Sequence, residues 1–354
     1  LFFKKQNMKK KSLSAKKKTH KKLLSYLKNP LINKIYKKFD NYIKLNLNKS
    51  NFAVAVSGGA DSLALVYFSK CYSVFNNTNV KYYHVDHRLR KESFVEAKKL
   101  KTYLNKFQIN CKILNWVGKK PKSNIQSLAR NKRYDLIYKE CLKNKINFIF
   151  VAHHMDDLYE NFLIRMIRGS GLKGLVSFNK EVTNFNDNLK ILRPLINFKK
   201  EDLTYVTNKV FKFNFEDPSN KNTLFKRTRI RNLINNLKAE GLNLKKLQLT
   251  INNLKDSNLT IIHYVNENIK HNSKYYKKKH YYILSNNFFN QPNEIVFRSL
   301  INLFKNIGKK YYPPRGKSIS QLMSKLRSEE IKKINISGCI LEKVSNSFII
   351  YKEK

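Results

Sequence analysis

Short apolar stretches alternate with longer amphipathic ones between residue 51 and about residue 235. The short stretches are rich in β-branched and aromatic residues, whereas apolar positions recur every three or four residues in the longer ones. We predict strands at 52–56, 80–86, 111–116, 147–152 and 189–192. We predict helices at 61–75, 92–107, 124–144, 156–168 and from about Lys199. Strands separated by helices pair in parallel, so the pattern predicts an α/β fold: a doubly wound, mostly parallel sheet with flanking helices.

The pattern changes after Leu237. A helical run covers 241–270, an amphipathic helix covers 294–307, and residues 333–352 indicate two strands around a turn near Ser345-Asn346, which together predict a smaller C-terminal α+β domain. Residues 1–22 are rich in lysine and contain no acidic residue. We therefore predict a basic, partly disordered N-terminal extension at 1–48, a catalytic domain at 49–237 and a C-terminal domain at 238–354.

The chain has 72 basic and 24 acidic residues, a formal net charge of +48. Such an excess predicts a polyanionic partner such as RNA, although an AT-rich genome would also enrich lysine. Arginine is distributed differently: 10 of its 13 occurrences lie between Arg88 and Arg231. Because arginine binds phosphates and bases through paired hydrogen bonds, this cluster indicates a binding site.

Two further features of the sequence narrow the class of protein. Its four cysteines are scattered without a C-x-x-C pair, so we expect neither a zinc site nor an iron–sulfur cluster. No apolar run reaches the length of a membrane span, and the N-terminal segment lacks the apolar centre of a secretion signal. We therefore expect a cytoplasmic protein with no membrane partner.

The segment S-G-G-A-D-S at 57–62 follows a buried strand and begins a helix. Two glycines permit a tight turn, and the exposed N–H groups of a helix N-terminus favour a phosphate-sized anion. Asp61 would repel a bare phosphate, so it indicates either a bridging Mg²⁺ or a helix cap. A turn that binds no ligand is the alternative. The predicted nucleotide-binding residues are Ser57, Gly58, Gly59, Ala60, Asp61 and Ser62.

Other candidate residues lie where strands end. The second strand runs into H-V-D-H-R-L-R at 84–90, and the fourth into A-H-H-M-D-D-L-Y-E at 152–160. On a helix that begins near Asp156, Asp157 and Glu160 share a face. Carboxylates beside a triphosphate suit a metal ion, an ammonium group or proton transfer. The candidate catalytic residues are Asp61, His153, Asp157 and Glu160, and the candidate phosphate-binding residues are Arg130, Arg133, Arg165 and Arg168.

The 57–62 loop resembles the PP-loop of the N-type ATP pyrophosphatases, enzymes that cleave ATP between its α and β phosphates. The wider series of segments resembles the tRNA(Ile)-lysidine synthetase family. The matching segments are SGGADS, VDHRLR, ARNKRY, AHHMDD-x-x-E, RMIRGSGLKGL, RPLI, EDPSN and RTRIRNLI, and the C-terminal strands resemble the family more weakly. The chain departs from the family pattern at Leu158, Asn161 and Asn222, where we expect Gln, Thr and an acid.

This resemblance implies an activity and its partners. The family ligates free lysine to C2 of the wobble cytidine in the CAU anticodon of isoleucine tRNA, through an adenylated tRNA, with release of AMP and pyrophosphate. ATP would then be a substrate, Asp61 would help to hold Mg²⁺, and one of the residues Asp157, Glu160 and His153 would accept the proton of the lysine amine. A homodimer is left open.

Three alternatives share parts of the pattern. A tRNA thiolase has the same loop but generally uses a cysteine or a metal cluster, and no cysteine lies in a matching segment. A GMP synthetase requires a glutaminase, for which we find no segment. A non-catalytic RNA-binding protein with a vestigial nucleotide fold would not need Asp61, and the intact loop argues against it.

Overall fold

The computed structural model describes residues 18–47, 50–89, 92–118, 125–179, 182–184, 189–215, 226–309, 314–327 and 332–353. The chain divides into two compact units, Leu1–Leu247 and Gln248–Lys354. The described helices of the first unit are α1 (18–25), α2 (Pro30–Leu47), α3 (Ala60–Asn76), α4 (Ser93–Asn105), α5 (Ile125–Lys143), α6 (Met155–Ile167), α7 (Leu172–Leu175), α8 (Lys200–Val210) and α9 (Lys226–Ala239). Its described strands are β1 (Phe52–Ala55), β2 (Val80–Asp86), β3 (Cys111–Asn115), β4 (Phe148–Phe150), β5 (Val182–Asn184) and β6 (Leu189–Leu192).

These strands form one sheet in the order β3-β2-β1-β4-β6-β5. All neighbouring pairs are parallel except β5 with β6, so the predicted doubly wound, mostly parallel sheet is confirmed. Helices cover both faces, which explains why β1 is apolar at every position and fully buried at Phe52, Ala53 and Val54. Because β1, β2 and β4 are parallel, their carboxyl ends meet at one edge of the sheet, where such folds bind ligands.

The first unit differs from the prediction at its N-terminus. Helix α2 lies within the predicted extension, yet its residues Ile35, Phe39 and Ile43 are buried in the same core as β1 and α3. The ring of Phe39 meets that of Phe150 on β4 edge-on, with centroids 6.2 Å apart. The described part of segment 1–48 is therefore part of the core. The sequence prediction missed this because lysines on the outer face of α2 obscured its apolar stripe at helical spacing. Residues 1–17 lie outside the described ranges.

The second unit is α+β. Its described helices are α10 (Leu244–Asn272, which begins in the first unit), α11 (Asn293–Gly308) and α12 (Gly316–Arg327). Its described strands are β7 (Ser273–Tyr276), β8 (Tyr281–Ser285), β9 (Lys333–Ile336), β10 (Cys339–Val344) and β11 (Ser347–Lys352). They form an antiparallel sheet in the order β7-β8-β11-β10-β9 around a separate core.

The predicted smaller α+β domain is thus present, but the sequence prediction missed β7, β8 and α12. The segment 333–352 holds three strands where we predicted two, and its predicted turn at Ser345-Asn346 separates β10 from β11. Within the part of the chain that the structure describes, no helix has the length and apolarity that crossing a membrane requires.

Candidate active site

The 57–62 loop joins β1 to α3 at the carboxyl edge of the sheet. Gly58 has φ +93°, a left-handed conformation, and a side chain there would come within 2.9 Å of the Phe215 ring. The N–H of Phe215 donates to the Gly58 carbonyl at 3.0 Å, so the segment after α8 holds this turn from one side. Glycine is therefore required at 58 by both backbone conformation and space.

Internal hydrogen bonds fix the rest of the loop. The N–H of Ser57 donates to Ser62 Oγ at 2.8 Å, which folds the loop over the first turn of α3. The hydroxyl of Thr207 on α8 donates to the Ala60 carbonyl at 2.6 Å, which holds the start of α3 in place. The first N–H groups of a helix lack partners within the helix, so this rigid turn presents donors to an anion.

Asp61 lies at the centre of a charged group. Its Oδ2 is 3.5 Å from Nε2 of His154, and the same Nε2 is 3.6 Å from Oδ2 of Asp157. The Asp157 carboxylate also accepts the N–H of His154 at 3.1 Å and so caps helix α6. Burial lowers the pKa of His154, but the hydrogen bond that it donates to Asp61 and the charge of Asp157 outweigh burial, so this pKa lies above its usual value.

Glu160 lies one turn further along α6 and is almost completely buried. Its Oε1 accepts Nε of Arg231 on α9 at 2.5 Å. Burial raises the pKa of Glu160, and the Arg231 guanidinium opposes that rise. The pairing with Glu160 and the charges of Asp157 and Asp61 outweigh burial, so the pKa of Arg231 lies above its usual value.

His153 follows β4 and meets Arg193, which follows β6. Nε of Arg193 donates to Nδ1 of His153 at 3.1 Å, and the Phe178 ring lies against both side chains at 5.1 Å. Burial, together with the charges of Arg193, Arg130 and Arg227, holds the pKa of His153 well below its usual value.

A cavity of about 370 Å³ opens at the carboxyl ends of β1, β2 and β4. Residues from the loop and from all three strand ends contribute to its lining, among them Ser57, Asp61, Ser62, Asp86, Arg133 and His153. Its size and polar residues suit a nucleotide. On the β2 side, His84 bonds through Nδ1 to the Val56 carbonyl at 2.8 Å, and Arg133 lies 3.4 Å from Nε2 of His87.

The structure places the predicted residues in three groups. Asp61 and His153 line the cavity. Asp157 approaches the same His154 nitrogen as Asp61, and Glu160 pairs with Arg231, but neither carboxylate belongs to the described lining. Arg133 reaches the cavity, and Arg130 lies over the Tyr134 ring at 5.2 Å.

The C-terminal end of α6 lies apart from the described lining. There Arg165 bonds to Asn161 at 2.8 Å, and Arg168 is exposed. Two departures from the family pattern therefore have a local role, because Leu158 is buried and Asn161 holds Arg165. Asn222 and the segment 216–220 lie outside the described residues.

Sequence reasoning missed three residues of the site: His154, Arg193 and Arg231. Of the two adjacent histidines, only His153 was selected as a candidate, and the contact of His154 with Asp61 depends on the pairing of β4 with β1. Arg193 directly follows a predicted strand, a position that could have marked it. Arg231 offered no local signal, since its partner Glu160 is 71 residues away along the chain.

Comparisons with known proteins agree with this geometry. A family model described as a PP-loop domain matches residues 28–238. A tRNA(Ile)-lysidine synthase of Wolbachia pipientis wMel is 30% identical over 322 residues, covering 89% of this chain and 74% of the relative. The enzyme of the same name from Orientia tsutsugamushi (strain Boryong) is 33% identical over 314 residues, covering 85% and 69%.

A solved structure is similar in fold. The U34-tRNA thiolase NcsA from Methanococcus maripaludis, determined with its [4Fe-4S] cluster, superposes with a TM-score of 0.54 at 17% identity, covering 64% of this chain and 79% of the thiolase. At that identity the likeness supports the sheet architecture of the first unit and carries nothing about chemistry.

Proposed function

The chain belongs to the tRNA(Ile)-lysidine synthase family of PP-loop ligases, and on this basis we propose that it attaches free lysine to C2 of the wobble cytidine in the CAU anticodon of isoleucine tRNA. ATP is cleaved to AMP and pyrophosphate in the reaction. The observation that carries the proposal is the position of Asp61, which lines the nucleotide-sized cavity and also belongs to the group of carboxylates beside it.

The cavity is the proposed ATP site. Ser57, Gly58, Gly59, Ala60 and Ser62 surround the phosphates, with the N–H groups of the α3 N-terminus directed at them. The C2 oxygen of the cytidine attacks the α-phosphorus, a new P–O bond forms, and the bond to pyrophosphate breaks. The loop donors stabilise the negative charge on the departing pyrophosphate.

Asp61 also fits the role of a magnesium ligand. Its Oδ1 is buried without a hydrogen-bond partner, which is the state expected of an oxygen kept for a cation. Within the described residues, no three His, Cys, Asp or Glu side chains form a metal-binding group. Mg²⁺ is commonly held by one or two carboxylates together with phosphate oxygens and water, so a single aspartate beside ATP suffices. When bound, the ion would neutralise phosphate charge.

The second step joins lysine to the activated cytidine. The ε-amine, after losing a proton, attacks C2, and AMP leaves with the former C2 oxygen. Asp157 approaches the same His154 nitrogen as Asp61, and Glu160 lies one turn further along α6, so these carboxylates would attract the lysine ammonium group and accept its proton. The raised pKa of buried Glu160 brings its basicity closer to that of the amine it would deprotonate.

The basic residues are proposed to bind the tRNA. Arg133 at the cavity and Arg130 beside it suit phosphates of ATP or of the anticodon loop, and exposed Arg168 suits the RNA backbone. Unpaired anticodon bases can leave their stack at low cost, which allows the cytidine to enter the site. The second unit, taken as the C-terminal tRNA-binding domain, would bind the tRNA body.

A thiolase is the nearest alternative with this fold. The four cysteines of the chain are all buried, and Cys71, Cys111 and Cys141 have their pKa raised to about 12 by burial. Such thiols are poor nucleophiles and poor sulfur carriers. The arrangement therefore favours transfer of an amine over transfer of sulfur.

The proposal is tested with purified protein, ATP and Mg²⁺, and a CAU-anticodon isoleucine tRNA transcript. We expect pyrophosphate release that depends on the tRNA, and entry of radiolabelled lysine into RNA only when all components are present. Asp61→Asn should lower both pyrophosphate release and lysine entry at least about 100-fold. The matched variant Asp256→Asn, at an exposed position of α10, should leave both unchanged. Pyrophosphate release without lysine entry would overturn the choice of amine, and tRNA binding without release would favour an RNA-binding protein.

Two further properties are part of the proposal. The family's tRNA substrate places the protein in the compartment where its tRNA is matured, which we propose is the cytoplasm. The second property is the oligomeric state, for which the sequence leaves a homodimer open. Size-exclusion chromatography with light scattering, run at assay concentration, would identify a homodimer if one forms.

A further inference from the structure

We propose that Arg193 is a positioning residue that fixes His153 as a neutral imidazole with its hydrogen on Nε2, so that His153 donates a hydrogen bond to an anionic group of the substrate and does not accept the proton of lysine. The inference rests on the proposed function, because that function supplies the anion. It removes one of the three candidate bases and gives it a different role.

The hydrogen bond between Arg193 and His153 decides the tautomer. Nε of Arg193 donates to Nδ1 of His153 at 3.1 Å. A guanidinium group has only donors and stays protonated in proteins, so Nδ1 must offer its lone pair. A neutral imidazole that accepts at Nδ1 carries its hydrogen on Nε2. Protonating His153 would bring two N–H groups face to face, and the contact would become repulsive.

The surroundings of Arg193 hold its guanidinium in place as the donor to His153. Arg193 is only 7% exposed and directly follows β6, where Pro194 restricts the backbone. Its guanidinium lies 5.1 Å from the centre of the Phe178 ring, and the His153 ring lies 5.1 Å from the same ring. Phe178 therefore supports both partners, and the ordering of Arg193 does not depend on a bound substrate.

The charges that face His153 act in the same direction. Arg193 follows β6, Arg130 comes from α5, Arg227 comes from α9, and His154 follows in the chain. Each lowers the pKa of His153, in addition to the larger effect of burial. A base that must collect a proton from an ammonium group would need the opposite environment, because the resulting imidazolium would lie among these cations.

The position of His153 matches a donor role. It lines the cavity that Ser57, Asp61 and Ser62 also line, where the phosphates of ATP are proposed to bind. A neutral N–H donor fixed in advance stabilises charge that develops on phosphate oxygens without reorganisation. The carboxylates Asp157 and Glu160 remain for the lysine amine.

Three substitutions at one position separate the two roles. In His153→Gln the side-chain amide nitrogen can occupy the position of Nε2. In His153→Asn the amide nitrogen lies near the position of Nδ1, and His153→Ala has no side-chain nitrogen. For a donor, Gln should retain activity within about 10-fold, while Asn and Ala should lose about 100- to 1,000-fold in pyrophosphate release measured without lysine. For a base, Gln should be as inactive as Ala, and Ala should release pyrophosphate normally while failing to incorporate lysine. That second pattern overturns the proposal.

The positioning role of Arg193 is tested by nitrogen NMR of the ¹⁵N-histidine-labelled protein, with the His153 signals assigned from their loss in His153→Gln. We expect wild-type His153 to show hydrogen on Nε2 and to stay neutral at pH values where an ordinary histidine is already protonated, because burial and the neighbouring cations lower its pKa. In Arg193→Met, mixed tautomers and titration at higher pH are expected. Hydrogen on Nδ1, or ordinary titration in the wild type, overturns the proposal without requiring any variant to fold.

The two hypotheses fail differently. If the wild-type protein shows no tRNA-dependent pyrophosphate release, the proposed function fails, and the NMR measurement still decides the tautomer. If the wild type is active and His153→Gln matches His153→Ala, the donor role fails and the proposed function stands. Circular dichroism at the assay temperature confirms that each variant compared is folded.

Discussion

Gly58 and Gly59 are adjacent in the 57–62 loop but meet different physical demands. Gly58 has φ +93° and lies against the Phe215 ring, whereas Gly59 has φ −74° and would place a Cβ no closer than 3.7 Å to another atom. The first glycine is therefore required by conformation. At the second glycine a Cβ would meet only ordinary van der Waals contacts, so neither conformation nor a clash requires glycine there.

This difference predicts unequal costs for the same substitution. Gly58→Ala should lower the free energy of unfolding by about 2 kcal/mol, from left-handed backbone strain and the clash with Phe215. Gly59→Ala should change it by less than about 0.5 kcal/mol. Urea denaturation of both variants measures the difference, and equal costs would show that the loop does not hold Gly58 as described.

At the scale of elements, α6 is the helix on which the proposed chemistry depends. Its N-terminus is capped by the Asp157 carboxylate, and its second turn is bound to α9 through Glu160 and Arg231. Helix α9 is separated from α8 by residues outside the described ranges, so this ion pair is a principal fixed contact between α9 and the site. It holds a buried carboxylate ready beside Asp157.

The ion pair between Arg231 and Glu160 predicts that removing both charges costs less stability than removing the Arg231 charge alone. Arg231→Met should lower the free energy of unfolding by about 3 to 5 kcal/mol, because Glu160 is left buried without a compensating charge. Adding Glu160→Gln should restore much of the loss, since the uncompensated charge is then gone. Lys238→Met, at an exposed position of the same helix, should cost little. Additive losses in the double variant, measured by urea denaturation, would contradict this account.

At the scale of the whole molecule, the net charge of +48 and the arginines of the first unit act over different ranges. Lysine-rich surface attracts RNA without regard to sequence, and salt weakens that attraction steeply. Arg133 and Arg193 are ordered by His87, His153 and Phe178, so they act locally within the site. Under the proposed function, we therefore expect affinity for tRNA in general and placement of one cytidine to depend on different residues.

Salt dependence separates general attraction from individual contacts. The logarithm of the tRNA affinity should fall linearly with the logarithm of salt concentration, and Arg168→Gln should reduce that slope by about 1. Lys44→Gln is the matched control, because Lys44 already pairs with Asp40 at 2.6 Å and offers less charge to RNA. Fluorescence anisotropy across a salt series measures both. An unchanged slope in Arg168→Gln would remove Arg168 from the tRNA contacts.

The sequence by itself determined the sheet architecture of the first unit, the place of the 57–62 loop between β1 and α3, and the family. These features depend on local information, namely the alternation of strand and helix patterns and short motifs read in order. It did not reveal α2, whose apolar stripe lies among lysines, or β7 and β8, which are stabilised by pairing with each other and with the distant β11. Tertiary structure alone decided which charges meet: Arg193 with His153 across 40 residues, and Arg231 with Glu160 across 71. The physical reason is that a buried charge pairs with whichever opposite charge or hydrogen-bonding group the packed chain brings close to it. The sequence around either residue alone does not specify which distant residue that is.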